Sequence, residues 1–230
     1  MKQSPHADDR VPFLTALPES VWADLQRLGS PRRYTPREVL IREGDSTRDL
    51  ILLHEGIVKV TARTDGGRDA LLEIRIEGDV VGEIAATDHR ARSATVTACG
   101  DVVATVIPQG DLLPFLAAAP DASMALYGLF GTGLRRAGRR LLDFAGHPVK
   151  VRLARVLVEL VTSYGCSGGR GELMIRVNLT QEEFAALTGS TKDTVQKALA
   201  QLREDGLIST GTRRTTIRDL DRLRQQARLA

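Results

Sequence analysis

The chain has 230 residues, 42% hydrophobic, 27% charged and 4% aromatic, with a formal net charge of +3. That length supplies core for one large domain or two small ones, and the composition is ordinary for a soluble globular protein. No run reaches the roughly 18 apolar residues of a membrane span, and residues 1–12 lack a signal-peptide apolar centre, so a cytoplasmic protein with no membrane association is expected.

The charge is unevenly placed. Residues 148–230 carry 14 Lys/Arg against 9 Asp/Glu, a net +5, while residues 1–147 carry 18 against 20, a net −2. A basic C-terminal third points to a polyanion partner for that part, although a solvated charged face has the same composition. Cys99 and Cys166 lie far apart, and His6, His54, His89 and His147 are scattered. No metal, no haem and no iron–sulfur cluster is expected, since the last needs about four thiolate ligands. Both cysteines read as small hydrophobes, with a disulfide or redox role left open.

Residues 13–28 place Leu14, Leu17, Val21, Trp22, Leu25 and Leu28 near helical spacing. From residue 33 the character changes to short β-type runs at 39–41, 50–53, 57–61, 70–76, 93–97 and 102–107. Turn residues separate them at Gly44-Asp45, Gly56, Gly66-Gly67, Gly78-Asp79 and Gly100-Asp101. Many short strands at this spacing predict a β-sandwich or jelly-roll barrel.

Within that region, residues 81–96 read VGEIAATDHRARSATV. A Gly-Glu pair opens a short apolar turn, and an Arg-Ser pair follows as the chain enters a β-type run. A carboxylate accepts hydrogen bonds from sugar hydroxyls, and a guanidinium beside a hydroxyl matches phosphate oxygens. The set suits a ligand carrying a ribose and a phosphate. An exposed loop with an incidental Glu–Arg ion pair satisfies the same spacing.

Residues 120–145 predict one helix, with Tyr127, Phe130, Leu134, Ala137, Leu141 and Phe144 alternating by three and four. That is a heptad seam, to be covered by a partner helix or by the chain's own barrel. Arg135, Arg136, Arg139 and Arg140 beside it read as a solvated flank or as groups reaching toward a ligand. Gly146-His147-Pro148 breaks the helix and forms a hinge. A second amphipathic helix follows over 149–163, and then a glycine-rich loop over 165–171 that lacks a P-loop's Lys-Ser/Thr ending.

Thr180 and Glu183 form a capping box before an apolar stripe that Gly189 ends. Ser190 or Thr191 caps the next helix, which carries Val195, Ala198, Leu199 and Leu202 as core and runs to Asp205-Gly206. Two short helices joined by a Gly-containing turn predict a helix-turn-helix. Thr180, Thr191, Lys192, Asp193, Thr194, Gln196 and Lys197 lie on its polar side, where a recognition helix reaches base edges. Residues 207–209 and 215–217 flank a hairpin wing whose Arg213 and Arg214 are placed for phosphates.

These segments, in this order, resemble the bacterial cyclic-AMP receptor protein/fumarate-nitrate regulator family over roughly residues 13–220. The resemblance rests on Gly82, Glu83, Arg92, Ser93 and Ala94 in register, and on the barrel turn at Gly44-Asp45 with Gly56. It rests equally on the Gly-Ser-Thr-x-x-Thr-Val pattern at 189–195 and the Asp-Gly-Leu-Ile exit at 205–208. It implies an α+β fold: a β jelly-roll cyclic-nucleotide-binding-like domain over 13–119, a dimerisation helix over 120–146, and a winged helix-turn-helix over 148–230. It further implies that Glu83 holds a ribose 2′-OH while Arg92 and Ser93 hold a cyclic phosphate, in a pocket completed by Gly82, Ile84 and Ala94.

The implied partners are a palindromic double-stranded DNA operator, a second copy of the chain and RNA polymerase. The implied ligand is cyclic AMP or another cyclic nucleotide. Two departures stand out. The positions that read the half-site hold Lys192, Asp193 and Lys197 in place of Arg, Glu and Arg. The base-contacting positions hold Ala137-Gly138, with no side-chain hydrogen-bonding group, so Arg135, Arg136, Arg139 or Arg140 substitutes or the pocket takes another ligand or none. No nucleophile–base pair supports an enzyme. A ligand-independent regulator, or a sensory or scaffold protein whose winged helix meets protein, is the alternative function.

Overall fold

The structure is a computed structural model that describes residues 12–169, 172–211 and 214–229. The described chain divides into two compact units, before and after the Arg135/Arg136 bond. That point lies inside the longest helix, whereas the sequence suggests boundaries near 120 and 148.

The first unit opens with a 3-10 turn (Phe13–Ala16) and α1 (Glu19–Arg27). The single helix expected over 13–28 is interrupted because Pro18 forces Leu17 into an extended conformation, φ −106° and ψ 141°. Strands β1 (Ser30–Tyr34), β2 (Val39–Ile41), β3 (Leu50–Glu55), β4 (Ile57–Arg63), β5 (Asp69–Ile76) and β6 (Val80–Val81) follow. Then come α2 (Glu83–Asp88), β7 (Thr95–Ala98), β8 (Val102–Ile107), α3 (Gln109–Ala118) and the start of α4 (Pro120–Gly146).

The strands form two four-stranded sheets, β1-β8-β3-β6 and β2-β7-β4-β5, the expected jelly roll. Its edge strand β1 is polar with only Tyr34 buried, so no apolar alternation announced it. Helix α3 was not read either, because Gly110 and Pro114 interrupt the helix-favouring Leu and Ala residues around them.

The β3 run Leu50–Leu53 is buried on both faces. Ile51 and Leu53 meet Tyr34, Val58, Val96 and Ala104 between the sheets, while Leu50 and Leu52 meet Phe13, Leu25, Leu112 and Leu126 under the helices. Side chains alternate across a strand, so a four-residue apolar run serves two cores at once.

In the second unit the end of α4 is followed by α5 (Val149–Tyr164), β9 (Gly165–Gly169), β10 (Glu172–Ile175), α6 (Gln181–Thr188), α7 (Lys192–Glu204), β11 (Ile208–Gly211), β12 (Arg214–Ile217) and α8 (Leu220–Gln226). The predicted glycine-rich loop is in fact strand β9 over most of its length, pairing Gly165 with Ile175 and Cys166 with Met174. The predicted two-stranded wing is thereby the edge of a four-stranded sheet, β11-β12-β10-β9. Helix α5 buries Leu153, Ala154, Leu157, Leu160 and Val161 at its centre.

The seam on α4 divides. Tyr127, Leu134 and Leu141, one heptad apart, are 68%, 77% and 68% exposed. Phe130 instead packs on its own barrel's helical core, and the Phe144 ring lies under the Arg152 guanidinium at 5.5 Å. Arg136 corrects the solvated-flank expectation: it is buried and pairs with Glu159 of α5 at 3.5 Å, and Arg140 lies 3.7 Å from the same carboxylate. Cys99 is a second correction: its side chain is exposed and it is not a buried hydrophobe. Among the described residues no single helix is long and apolar enough to cross a membrane.

Candidate ligand pocket and nucleic-acid interface

The cassette in the first unit is built around a backbone conformation. Gly82 is left-handed at φ +82°, and a Cβ there would lie 2.5 Å from Arg92 Nη1 and 2.9 Å from the Asp49 carbonyl oxygen. Glycine is therefore required by space as well as by φ. The Arg92 guanidinium, 4% exposed, donates from Nη1 to the Gly82 carbonyl (3.0 Å), from Nη2 to the Asp49 carbonyl (2.8 Å) and from Nε to Thr47 Oγ1 (3.1 Å). Its backbone is pinned too: Arg92 N–H donates to the Asp45 carbonyl and its carbonyl accepts from Gly44 N–H, both at 2.9 Å. The Gly44-Asp45 turn, noticed in the sequence as a barrel marker, thus sets the position of the cassette's arginine.

Glu83 opens α2 and is buried. The ion pair that the spacing allowed with Arg92 does not form; the partner is Arg75 of β5, with Nη2 at 3.5 Å from Glu83 Oε1. The same Nη2 lies 2.9 Å from Glu73 Oε2. Burial pushes the Glu83 carboxyl above the ordinary carboxylate range, with Arg75 acting against it. Burial likewise draws the Arg92 guanidinium below its ordinary value, opposed by Asp49, Glu83 and Asp45. Ile84 is 42% exposed. Ser93 is exposed, and Gly82 and Ala94 are half-buried.

The structure thus gathers Gly82, Glu83 and Arg92 at one point and adds Thr47, Asp49 and Arg75, which sequence reasoning missed. Arg75 had left one signal, a cation inside the apolar run 70–76. A β-bulge carries the register from Val60↔Glu73 to Thr61↔Leu71, which puts Leu71 and Ile74 in the core and leaves Glu73 and Arg75 on one face.

In the second unit the predicted helix-turn-helix is present. Thr180 Oγ1 accepts from Glu183 N–H (3.2 Å) while Glu183 Oε2 accepts from Thr180 N–H (2.7 Å), a complete capping box. The helix ends at Gly189, φ +54°, where Gly189 N–H donates to the Ala186 carbonyl and Ser190 N–H to the Ala185 carbonyl, a Schellman closure. Of the two candidate caps for the next helix, Thr191 is used, accepting from Thr194 N–H. Thr180→Ala removes one cap and is expected to lower the second unit's unfolding free energy by about 1 kcal/mol. Urea denaturation followed by circular dichroism measures it, and an unchanged unfolding free energy would contradict the cap's role.

Val195, Ala198, Leu199 and Leu202 of α7 are buried, which leaves Lys192, Asp193, Thr194, Gln196 and Lys197 exposed along one side with Thr191. Lys192 Nζ is held 2.6 Å from Glu182 Oε1 of α6. Each favours the other's charged state: the hydrogen bond moves the Glu182 carboxyl down and the Lys192 ammonium up. Glu182 is the residue here that the sequence reading overlooked. On the sheet, Arg214 is exposed and pairs with Gly211, and Arg203 Nη1 of α7 donates to Thr210 Oγ1 of β11 at 2.9 Å. Arg213 lies outside the described residues.

Known proteins match both units. The cyclic nucleotide-binding domain family matches residues 31–119, and the Crp-like helix-turn-helix domain family matches residues 151–226. The CRP-like cAMP-activated global transcriptional regulator of Mycobacterium tuberculosis is 32% identical over 204 residues, 89% of this chain and 89% of that protein. The transcriptional regulator LdrP of Thermus thermophilus is 30% identical over 200 residues, 85% of this chain and 96% of that protein. A solved CRP-family transcriptional regulator from Thermus thermophilus superposes with a TM-score of 0.71 at 28% identity, covering 86% of this chain and 97% of the other. With a nucleotide-binding domain and a Crp-like helix-turn-helix both matched, and relatives 30% or more identical over most of its length, the chain belongs to the CRP/FNR family of transcriptional regulators.

Proposed function

We propose that this protein is a cytoplasmic homodimer that binds a palindromic operator through α7 and the wing, and that a cyclic nucleotide held by the cassette modulates that binding. Glu83 accepts from the ribose 2′-OH, and Arg92 with Ser93 takes the cyclic phosphate, with Gly82, Ile84 and Ala94 completing the walls. The observation that carries the ligand reading is a guanidinium buried beside a left-handed glycine that leaves no room for a Cβ, next to a buried carboxylate. The exposed heptad positions Tyr127, Leu134 and Leu141 support a second copy of the chain as the partner of α4. Two recognition helices then dock in half-sites about 34 Å apart. The ligand acts by binding the DNA-competent dimer more tightly than the other form. RNA polymerase is the partner through which the bound dimer changes transcription.

One observation favours a ligand-independent regulator as the second reading. Three of Arg92's donors are already committed to Thr47, Gly82 and Asp49, and Ala137-Gly138 offers no side-chain group to a base. Calorimetry with cyclic AMP, cyclic GMP and cyclic dinucleotides separates the two. Binding that Arg92→Ala abolishes supports the pocket, and absence of heat with every ligand supports the second reading.

The DNA assignment has its own test. The double variant Lys192→Ala/Lys197→Ala is expected to weaken operator binding by about 1–3 kcal/mol for each lysine that hydrogen-bonds a base edge, and to flatten the salt dependence. Unchanged affinity and specificity would remove α7 as the reading element.

A further inference from the structure

We infer that Arg75 is a positioning residue of the ligand pocket: it holds the Glu83 carboxylate in place as the acceptor for a sugar hydroxyl, so that selection of a ribose over a 2′-deoxyribose depends on it. The inference rests on the cyclic-nucleotide reading of the cassette. Two guanidiniums grip consecutive residues there. Arg92 holds the backbone carbonyl of Gly82 at 3.0 Å, and Arg75 reaches the side chain of Glu83 at 3.5 Å. The Arg75 and Glu83 side chains are 8% and 11% exposed. A carboxylate so far from water is costly to keep charged, and the paired Arg75 is the largest influence offsetting that cost, ahead of a backbone hydrogen bond.

The groups that act on Glu83 set the need for Arg75. Glu73 from β5 and Asp79 from the turn before β6 disfavour its charge, and burial disfavours it most. Arg75 is the cation that opposes them. Arg92 also feels Glu83, but its three hydrogen bonds go to neutral oxygens. Removing Arg75 takes away the cation that favours the charged form of this buried acid, and in the neutral form one of its two acceptor oxygens becomes a donor. A hydroxyl on the ligand then loses the charge-assisted bond that distinguishes ribose from deoxyribose, while the phosphate end, served by Arg92 and Ser93, is untouched. Glu73, at 2.9 Å, anchors the other side of the same nitrogen and aims it.

The experiment is calorimetry on the full chain with cyclic AMP and 2′-deoxy cyclic AMP, for the wild type, Arg75→Leu, Arg75→Lys and Glu73→Gln. The wild type is expected to favour the ribonucleotide by about tenfold to a hundredfold, the range for a hydrogen bond to a charged group. Arg75→Leu is expected to bring that ratio within about twofold of unity while affinity for the 2′-deoxy ligand stays within about twofold of wild type. Arg75→Lys keeps the charge on a shorter side chain, which reaches Glu83 less well than the guanidinium Nη2 does, and gives an intermediate ratio. Glu73→Gln retains the wild-type ratio, because Arg75 remains opposite Glu83.

Equal weakening of both ligands in Arg75→Lys would mark Arg75 as a structural pair for Glu73 alone and overturn the inference. A ratio unchanged in Arg75→Leu would overturn it while leaving the cyclic-nucleotide reading intact, and a ratio already near unity in the wild type would overturn it together with the 2′-OH role of Glu83, leaving only the phosphate end of that reading. A wild type that binds neither nucleotide would overturn that reading and this inference together.

Discussion

Gly82→Ala is expected to destabilise the first unit by about 3 kcal/mol and, on the proposed reading of the cassette, to abolish cyclic-nucleotide binding. The left-handed conformation alone costs a non-glycine residue about 1–3 kcal/mol when surrounding structure holds it. Here the surroundings do hold it, since the new methyl would lie 2.9 Å from both the Asp49 carbonyl oxygen and Ile41 Cδ1. The backbone oxygen cannot retreat without disturbing the hydrogen bond it accepts from Arg92 Nη2 at 2.8 Å. The softer neighbour is Arg92 Nη1, at 2.5 Å, and its retreat surrenders the bond to the Gly82 carbonyl. A charged group that loses a buried partner adds roughly 1.5–3 kcal/mol, part of which relaxation recovers. The chain has a single tryptophan, Trp22 in α1, so urea unfolding read by its fluorescence reports on this unit. A change below about 0.5 kcal/mol, the size of a neutral surface substitution, would show that Gly82 is not under this constraint.

Arg155→Leu is expected to cost the second unit about 3 kcal/mol and to loosen α8. Arg155 of α5 donates from Nη1 to Asp143 Oδ1 of α4 and from Nε to the Ala227 carbonyl at 2.8 Å, the latter just past the last turn of α8. One side chain thus ties three helices. It also places a cation at a helix C-terminus, where unsatisfied carbonyls favour positive charge. The Arg155 and Asp143 side chains are 17% and 21% exposed, so removing one member strands the other in a mostly dry position. Leucine keeps the apolar volume and removes only the polar ties. Hydrogen exchange should then show the backbone amides of Leu223 and Ala227, both bonded within α8, opening earlier than those of α7. Equal protection of α8 in the variant and the wild type would show that Leu223 packing alone secures it.

Local signals were legible wherever a few neighbouring residues decide the outcome. The capping box at Thr180 and Glu183, the stop at Gly189 and the buried stripe Val195, Ala198, Leu199 and Leu202 appear as read. The strand at 102–107 was read at its full extent. Strands β1 and β9 were not, because SPRRY and GCSGG have no apolar alternation and exist as strands only through their partners β8 and β10. Propensity is overridden there by pairing. The α4 seam was half legible: its period was visible, but the same period serves Tyr127 in the open and Phe130 against a core.

From sequence alone came the order of a strand-rich region, a long helix and a helix-turn-helix, the exposed polar side of α7 and the spacing of Gly82, Glu83 and Arg92, because caps, turns and helical stripes are properties of adjacent residues. The tertiary structure alone decided which charges meet. Arg92 and Thr47 lie 45 residues apart in the chain, and Arg92 and Asp49 43 apart. Arg75 faces Glu83 because a bulge in β5 turned it there. Ion pairs depend on distances of a few ångströms between side chains, and strand register and sheet packing set those distances. The spacing of Glu83 and Arg92 suggested a pair; the fold gave each of them a different partner.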